Sequence, residues 1–439
     1  MRDCDAARAI AQGVGSGYTS GMRFVLVVLL LCFGIAPTGA QLPPHAESLD
    51  ALRAALPKDV SCEVLNRDEA VLIVPEPFAP PTFSVAPRYK TRTSRAVTVY
   101  VGTTIWEGRR VTSNKLTRRV VVHFEPDDRE NALRVARVAA RLMQLHRQLF
   151  KRETTFPRGA SVADVWLIPA QNGKTDIGGE TRDANVYIFA ASTIKTPIEL
   201  IRTVAHEWGH LTIPAARGFS EPESDAAGYL GERVYMFAMT FPLRNDPPEP
   251  YPKDAATLDA LIAYNERQTI PLMKRYAAAG PLSPVLRGDN TAAMDYYIGM
   301  VLTCLETYYT NDHTVSLTGA ALWGIGGEKP ADFVRSLERE MAKQTERGVV
   351  SVHPPEYTAG LPLYVPLAKG DYAIRADDRA GTITFAGVQT VTVSLKLQTA
   401  VLRITKPGWY RISPTGELVS LIPLSFTLTR RKPNAAPTP

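Results

Sequence analysis

The sequence has few cysteines and histidines, with four and seven respectively among 439 residues. It contains no low-complexity tract, and its net charge of +6 is small for its length. This composition is typical of a soluble globular protein and argues against a disordered or fibrous one. The basic residues are scattered, and the densest cluster, residues 88–92, is too short to indicate a nucleic-acid groove. We therefore expect no nucleic-acid partner.

The sequence also lacks an apolar run of about 20 residues, the length that a transmembrane helix needs. The main apolar run, residues 24–36, follows Arg23 and precedes the small residues at 38–40. This order is the layout of a secretory signal peptide. We predict a signal peptide over residues 1–40, with Met22 as a candidate for the true start. The mature protein is then secreted or periplasmic, without a stable membrane span.

Two of the four cysteines, Cys4 and Cys32, belong to the predicted signal peptide. The mature chain therefore keeps Cys62 and Cys304. In an oxidising compartment these two residues can form one long-range disulfide. They can equally remain buried thiols, because pairing depends on the distance between the two sulfurs in the fold. Both interpretations stay open.

Changes in composition divide the mature chain into four predicted segments. Residues 41–117 alternate β-rich runs with proline clusters and predict a small β-containing lobe. Residues 118–350 combine strands with helices, and residues 351–430 contain short strands between glycines and prolines, the pattern of a β-sandwich. Residues 431–439 are expected to form a disordered tail. The predicted fold class is α+β, with a mixed sheet, a motif-bearing helix, a helical second half and a C-terminal β-sandwich.

Hydrophobic periodicity gives the order of elements within the second segment. Apolar runs predict strands at residues 119–124, 162–169 and 184–190. Helical spacing predicts helices at residues 127–150, 197–211, 221–239, 254–279, 291–309 and 330–344. Thr196, Pro197 and Glu199 suit the cap and first turn of the second of these helices, and Ser220 with Glu223 suits the start of the third.

The second of these helices carries the pattern H-E-x-x-H as His206, Glu207 and His210. Residues four apart lie on one face of a helix, so both imidazoles can bind one metal ion. Glu207 lies between them and can act as a general base toward a water molecule. Because histidine is scarce in this chain, such a pattern is not expected by chance. The sequence therefore predicts one catalytic Zn²⁺.

A catalytic zinc site needs a third protein ligand. The next predicted helix offers the carboxylates of Glu221, Glu223, Asp225 and Glu232. We favour Glu221 as the ligand and Asp225, four residues later, as the hydrogen-bond partner of His206. Glu223 is interpreted as the capping-box acid of that helix, and Glu232 as a surface charge near its far end.

H-E-x-x-H followed by a glutamate on a downstream helix resembles the gluzincin peptidases. The stretch from Glu221 to Asp225 looks like the E-x-x-x-D pattern of that group. The similarity covers about residues 118–344 and matches no single family within the group. It implies a zincin-like catalytic domain, a single catalytic zinc ion and the hydrolysis of peptide bonds.

Residues 295–302 are similar to the Y-x-x-G helix of aminopeptidase-N-like gluzincins. In those enzymes a tyrosine stabilises the oxyanion, and the resemblance assigns this role to Tyr296, because Gly299 follows it by three positions. The alternative is a buried aromatic residue on a core helix. His313 is a further candidate donor.

The predicted strand at residues 184–190 directly precedes the motif helix. In the gluzincin superfamily such a strand often forms the upper edge of the cleft and pairs with extended substrate. The sequence fits an internal strand of the sheet equally well.

The sequence thus predicts a secreted zinc metallopeptidase with a peptide or protein substrate. Two alternatives stay open: an envelope or matrix binding protein on an inactive peptidase scaffold, and a zinc hydrolase of a non-peptide amide. Glu207 argues against the inactive scaffold, because a binding protein has no chemical need for that acid. The predicted β-sandwich is a candidate surface for glycan or protein contact.

Overall fold

The computed structural model describes residues 45–56, 62–66, 69–73, 84–107, 110–170, 176–214, 216–240, 255–310, 315–325, 329–376, 380–393, 400–416 and 424–431. The predicted signal peptide, His313 and residues 432–439 of the predicted tail lie outside these ranges. Within them, the protein has a mixed α and β structure.

Strands dominate the first part of the described chain. In chain order they are β1 (His45–Ala46), β2 (Cys62–Asn66), β3 (Glu69–Ile73), β4 (Ser84–Val85), β5 (Arg92–Thr93), β6 (Arg95–Glu107), β7 (Arg110–Phe124), β8 (Ala163–Ile168), β9 (Gly178–Arg182) and β10 (Asn185–Phe189). Eight of them form one sheet in the order β2-β3-β6-β7-β8-β10-β9, with β1 paired to β7, while β4 and β5 pair separately. Pairs β7–β8 and β8–β10 are parallel and the others are antiparallel, so the sheet is mixed as predicted.

The buried strands read as nearly continuous apolar runs because both faces of the sheet are covered. Strand side chains alternate between faces. On β8, Val165 and Leu167 join the main core, whereas Trp166 and Ile168 join a smaller cluster on the other face with Tyr187 of β10. This two-sided burial explains why the predicted strands at 162–169 and 184–190 match β8 and β10 closely, whereas the prediction at 119–124 covers only the final part of β7.

Strand β9 forms one edge of this sheet, and the sequence did not predict it. Its residues Gly178–Arg182 include two glycines and charged side chains, which have low strand propensity. Strand β10 lies between β8 and β9. The predicted strand at 184–190 is therefore an internal strand, and β9 occupies the edge.

The predicted division between residues 117 and 118 falls inside β7 (Arg110–Phe124). Strands β2, β3 and β6, which were assigned to an N-terminal lobe, belong to the same sheet as β8 and β10. The proline clusters in the sequence of that region produced the apparent change in composition, although strand pairing continues across the predicted boundary.

The helices follow mostly after the sheet. They are α1 (Leu49–Ala54), α2 (Arg129–Phe150), α3 (Pro197–Thr212), α4 (Ala227–Thr240), α5 (Ala255–Tyr264), α6 (Ile270–Ala279), α7 (Thr291–Thr307), α8 (Leu317–Gly324) and α9 (Pro330–Arg347), with a π-helical turn at Asn265–Thr269 between α5 and α6. None of the described helices combines the length and apolar composition that crossing a bilayer requires.

Helix α3 lies against α2, α4 and the strands β9 and β10. It begins at Pro197 as predicted, with Thr196 as the N-cap residue, although the Thr196 side chain makes no capping hydrogen bond. Helices α3 and α4 approach each other very closely at Gly209. A Cβ built on Gly209 would lie only 2.2 Å from the carbonyl oxygen of Ala227. A side chain at this position would separate the two helices, and glycine permits their approach.

The C-terminal part contains two antiparallel sheets. Their strands are β11 (Tyr308–Thr310), β12 (Val350–Val352), β13 (Leu363–Leu367), β14 (Gly370–Ala376), β15 (Gly381–Phe385), β16 (Gln389–Val393), β17 (Ala400–Ile404), β18 (Gly408–Gly416) and β19 (Phe426–Arg430). One sheet has the order β11-β12-β19-β14-β17 and the other β13-β18-β15-β16. In α7, Cys304 is a buried free cysteine. This agrees with the thiol interpretation for that residue.

Candidate metal centre

Helix α3 presents the predicted motif on one face and buries the opposite face. Ile201, Val204, Trp208 and Leu211 are at most 4% exposed and belong to the main core. The side chains of His206 and His210 remain 15% and 22% exposed. The helix therefore has its apolar stripe in the core and its two imidazoles on the opposite, partly exposed face, as the spacing predicts.

Glu223 is the carboxylate that meets both imidazoles. Its Oε1 lies 2.9 Å from Nε2 of His206, and its Oε2 lies 3.1 Å from Nε2 of His210. One ligand atom from each of these three residues lies within 4.8 Å of the other two. The structure thus assembles His206, His210 and Glu223 as a potential metal-binding group.

Glu221 is exposed, so the structure does not place it where the sequence argument favoured. The predicted helix from residue 221 starts only at Ala227, and the segment before it is not helical. Ser220, expected to open the helix, instead donates from Oγ to the carbonyl oxygen of Asp289 at 3.0 Å. With the segment held this way, Glu223 rather than Glu221 contacts the imidazoles.

The Nδ1 atoms of both imidazoles, on the side of each ring away from Glu223, also lie near carboxylates. Nδ1 of His206 lies 3.4 Å from Oε2 of Glu232, and Nδ1 of His210 lies 3.5 Å from Oδ1 of Asp225. Asp225 therefore accompanies His210, whereas the sequence argument assigned it to His206. Such partners fix the tautomer and orientation of a ligating imidazole.

Glu232 was expected at the surface, but its side chain is only 2% exposed. It accepts a hydrogen bond from Nε of Arg202 at 3.0 Å and further bonds from Arg233 and Tyr264. A buried carboxylate is stable only when such donors surround it. No local sequence pattern indicates this burial, because the donors come from α3 and α5 as well as α4.

The electrostatic surroundings favour positive charge between these groups. Burial lowers the pKa of His206 and of His210, but their interactions with the neighbouring carboxylates outweigh it and raise the two values to about 9 and about 10. Burial raises the pKa of Glu223, but the two imidazoles outweigh it and lower the value to about 2. A site that holds positive charge this strongly suits protons or a metal cation.

The donor set fits a divalent cation such as zinc. When each Nδ1–H faces its carboxylate, each Nε2 directs a lone pair toward Glu223. Oε2 of Glu223 is buried and makes no hydrogen bond of good geometry with the described residues. Tetrahedral zinc bonds of about 2.0–2.2 Å separate ligand atoms by roughly 3.3–3.6 Å. The distances of 2.9 and 3.1 Å between Glu223 and the two Nε2 atoms are slightly shorter, so a small outward movement admits the ion.

Gly228 leaves the space in front of the two imidazoles open. A Cβ at this position would lie 2.3 Å from Nε2 of His210 and 2.5 Å from Nε2 of His206. We expect Gly228→Ala to lower zinc affinity by at least about 100-fold, because the methyl group displaces both ligating nitrogens. Elemental mass spectrometry of the purified variant measures the effect.

The matched control for this variant is Gly408→Ala, where a Cβ meets nothing within 4 Å. Gly228→Ala should stay folded, since alanine suits a helix better than glycine and the imidazoles can rotate aside. Gly408→Ala should stay folded because its methyl group has open space. Unchanged zinc content in Gly228→Ala, with normal thermal unfolding, would show that the metal does not bind at this position.

Glu207 lies beside this group and contacts the edge strand. Its carboxylate is buried, and Thr181 of β9 donates to Oε2 at 2.8 Å and to the backbone oxygen of Glu207 at 2.9 Å. Burial raises the pKa of Glu207, while His206 and the Thr181 hydroxyl oppose the shift. A carboxylate with a raised pKa accepts a proton more readily, which suits a general base.

A cleft of about 410 Å³ lies next to the metal-binding group and Glu207. Besides His206, Glu207, Glu223 and Glu232, its lining includes Ile177, Gly179, Glu199, Arg202, Thr203 and Tyr229. Tyr229 was not singled out from the sequence. Its ring lies edge-on to His206 with centroids 4.8 Å apart, and only tertiary contact reveals this position.

Tyr296 does not line this cleft. It is 5% exposed on α7, and its hydroxyl donates to the carbonyl oxygen of Gly280 at 2.6 Å. Its ring packs against Tyr276 with centroids 5.9 Å apart. These contacts are those of a buried aromatic on a core helix, the alternative that the sequence left open. The other candidate donor, His313, lies outside the described residues.

No protein-family model matches this chain, and no curated protein sequence matches it. Among solved structures, the chain is similar to Legionella pneumophila aminopeptidase A in complex with aspartic acid, with 9% sequence identity and a TM-score of 0.26. The match covers 71% of this chain and 35% of that chain, so this chain spans about a third of the length of the aminopeptidase. Nothing about the function of this chain follows from a similarity of this size.

Proposed function

We propose that this protein is a secreted zinc metallopeptidase of the gluzincin type, with His206, His210 and Glu223 as the zinc ligands and Glu207 as the general base. The observation that carries the proposal is the convergence of two imidazole nitrogens and both Glu223 oxygens, at 2.9 and 3.1 Å, beside a buried glutamate. Three protein ligands with one open position are typical of catalytic rather than structural zinc.

Zinc held there would supply Lewis-acid activation of a water molecule, lowering its pKa to about 7. The chain's own residues supply the proton transfers. Glu207 takes a proton at its carboxylate and later delivers it to the leaving amine. Thr181 holds that carboxylate through a 2.8 Å hydrogen bond, so the base is oriented before substrate arrives.

Strand β9 supports peptide as the substrate class. It ends the sheet, and its Thr181 contacts Glu207 directly. An extended peptide can pair with a sheet edge through backbone hydrogen bonds, which places it along the cleft in a fixed register. The zincin-like domain and a C-terminal β-sandwich made from the two antiparallel sheets are parts of the same proposal.

The test is zinc content combined with peptide hydrolysis. We expect about one zinc per chain in protein purified without chelator, and cleavage of a quenched fluorescent peptide mixture that a chelator abolishes and zinc restores. Protein that binds no zinc after zinc is offered would instead favour a binding protein on an inactive scaffold. Zinc binding with cleavage of non-peptide amides alone would leave the centre intact and exclude peptide as the substrate.

A further inference from the structure

The cleft contains a guanidinium group that the proposed reaction does not use. Arg202 lies on α3, one turn before His206, and lines the cleft. Its side chain is 48% exposed, although its head contacts a buried carboxylate. An arginine that is both held and open to solvent is suited to binding a ligand.

The contact with Glu232 orients the Arg202 guanidinium but uses only one of its N–H donors. Nε of Arg202 lies 3.0 Å from Oε1 of Glu232. The same oxygen accepts hydrogen bonds from Arg233 and Tyr264, so Glu232 is balanced by other donors as well. Arginine has five N–H donors, and within the described part of the chain its contact with an acid goes through Nε. The terminal N–H groups are then available to a ligand.

These terminal groups suit a carboxylate. The guanidinium fork matches the two oxygens of a carboxylate and binds it through parallel hydrogen bonds. Tyr229, which lines the same cleft, is a further hydroxyl donor. Two donors that line one cleft favour an acceptor-only group in the substrate.

The position of Arg202 also limits where that carboxylate lies. Arg202 lies four positions before His206 on the helix, a rise of about 6 Å. An extended peptide advances about 3.3 Å per residue. A carboxylate bound by Arg202 therefore belongs to a residue within about two positions of the bond that is cleaved.

We propose that Arg202 is the specificity residue for a substrate carboxylate near the cleaved bond, either an acidic side chain or a C-terminal carboxylate. This inference rests on the proposed function and names its substrate class. Glu199 lines the same cleft, one turn before Arg202, and would favour a cationic substrate instead. The arginine is favoured because Glu232 fixes its orientation, whereas no such contact orients the Glu199 carboxylate among the described residues.

The experiment compares matched peptides that carry Glu or Gln at each of the two positions on either side of the cleaved bond. A second pair ends in a free carboxylate or a carboxamide. We expect one acidic form to have a KM about 10- to 100-fold lower than its neutral partner. Arg202→Gln should abolish this preference, and Arg202→Lys should keep part of it, because lysine offers charge without the fork.

The matched control is Arg403→Gln. Arg403 also places Nε 3.0 Å from a carboxylate oxygen, that of Asp371, but lies in the C-terminal sheet and is 73% exposed. Its replacement should leave the acidic preference intact. The ratio between paired peptides is measured on the same protein sample, so a general loss of zinc or stability cancels.

Calorimetric binding of N-acetylglutamate and N-acetylglutamine to the zinc-loaded protein gives a readout without catalysis. We expect tighter binding of the glutamate by wild type and equal binding by Arg202→Gln. A preference that persists in Arg202→Gln would mean that the metal itself binds the carboxylate, and would overturn the proposal. A preference for cationic peptides would overturn it in favour of Glu199. If no peptide is cleaved, the proposed function fails while the calorimetry still tests Arg202.

Discussion

Glu207→Gln is expected to lower kcat by at least about 10²-fold while zinc content stays unchanged. Glutamine has the shape of glutamate, and its amide oxygen can still accept the hydrogen bond from Thr181, which is 2.8 Å long in the native chain. The amide cannot take a proton from water near neutral pH. Chemistry is therefore lost, whereas the ligands His206 and His210 are untouched. Steady-state hydrolysis and elemental mass spectrometry on one preparation measure both quantities.

A helix glutamate away from the cleft provides the control. Glu130 lies at the start of α2, and its carboxylate is 83% exposed beside Arg134. Glu130→Gln should keep both zinc and activity, since exposed pairs of this kind contribute little. Full activity in Glu207→Gln would contradict the assigned base. A loss of zinc in that variant would point to a role for Glu207 in metal binding.

Replacing Glu223 should have a comparably large effect on metal binding. We expect Glu223→Gln to reduce zinc affinity by more than about 100-fold, because it removes the anionic ligand, whereas loss of a ligand's hydrogen-bond partner alone costs about 10- to 100-fold. The amide also withdraws negative charge that the two imidazoles otherwise face at 2.9 and 3.1 Å. Competition with a chelator of known affinity measures the change.

Glu221→Gln is the matched control, since the two glutamates are two residues apart on the same segment. Because Glu221 is exposed, the Glu221→Gln protein should keep its zinc. Together the two variants test whether the third zinc ligand is Glu221, as the sequence suggested, or Glu223, as the structure indicates. If Glu221→Gln loses zinc and Glu223→Gln keeps it, the segment before α4 binds metal in a conformation different from that of this structure.

The central part of the site was predictable because it depends on one helix. His206, Glu207 and His210 follow each other within two turns, and Pro197 marks the start of α3. Helical periodicity fixes which side chains share a face, whatever the rest of the fold does. By the same rule the apolar residues around Trp208 share the opposite, buried face.

The third carboxylate was not predictable in this way. Ser220 and Glu223 read as a helix start, but Ser220 is hydrogen-bonded to Asp289, far along the chain. Glu232 read as a surface charge, as most helical glutamates are. Its burial arises because Arg202 and Tyr264, from two other helices, donate to it. A local pattern contains no information about such contacts.

The sequence by itself determined the motif helix, the pairing of two histidines around Glu207, and the buried strands at 162–169 and 184–190, because apolar runs and helical spacing are local properties. The tertiary structure decided that Glu223 rather than Glu221 contacts the Nε2 atoms of the imidazoles, and that Glu232 and Asp225 lie near their Nδ1 atoms. It also decided that β9 is the edge of the sheet. These features join segments that are distant in the chain, so only the packing of α3, α4 and the sheet against one another could fix them.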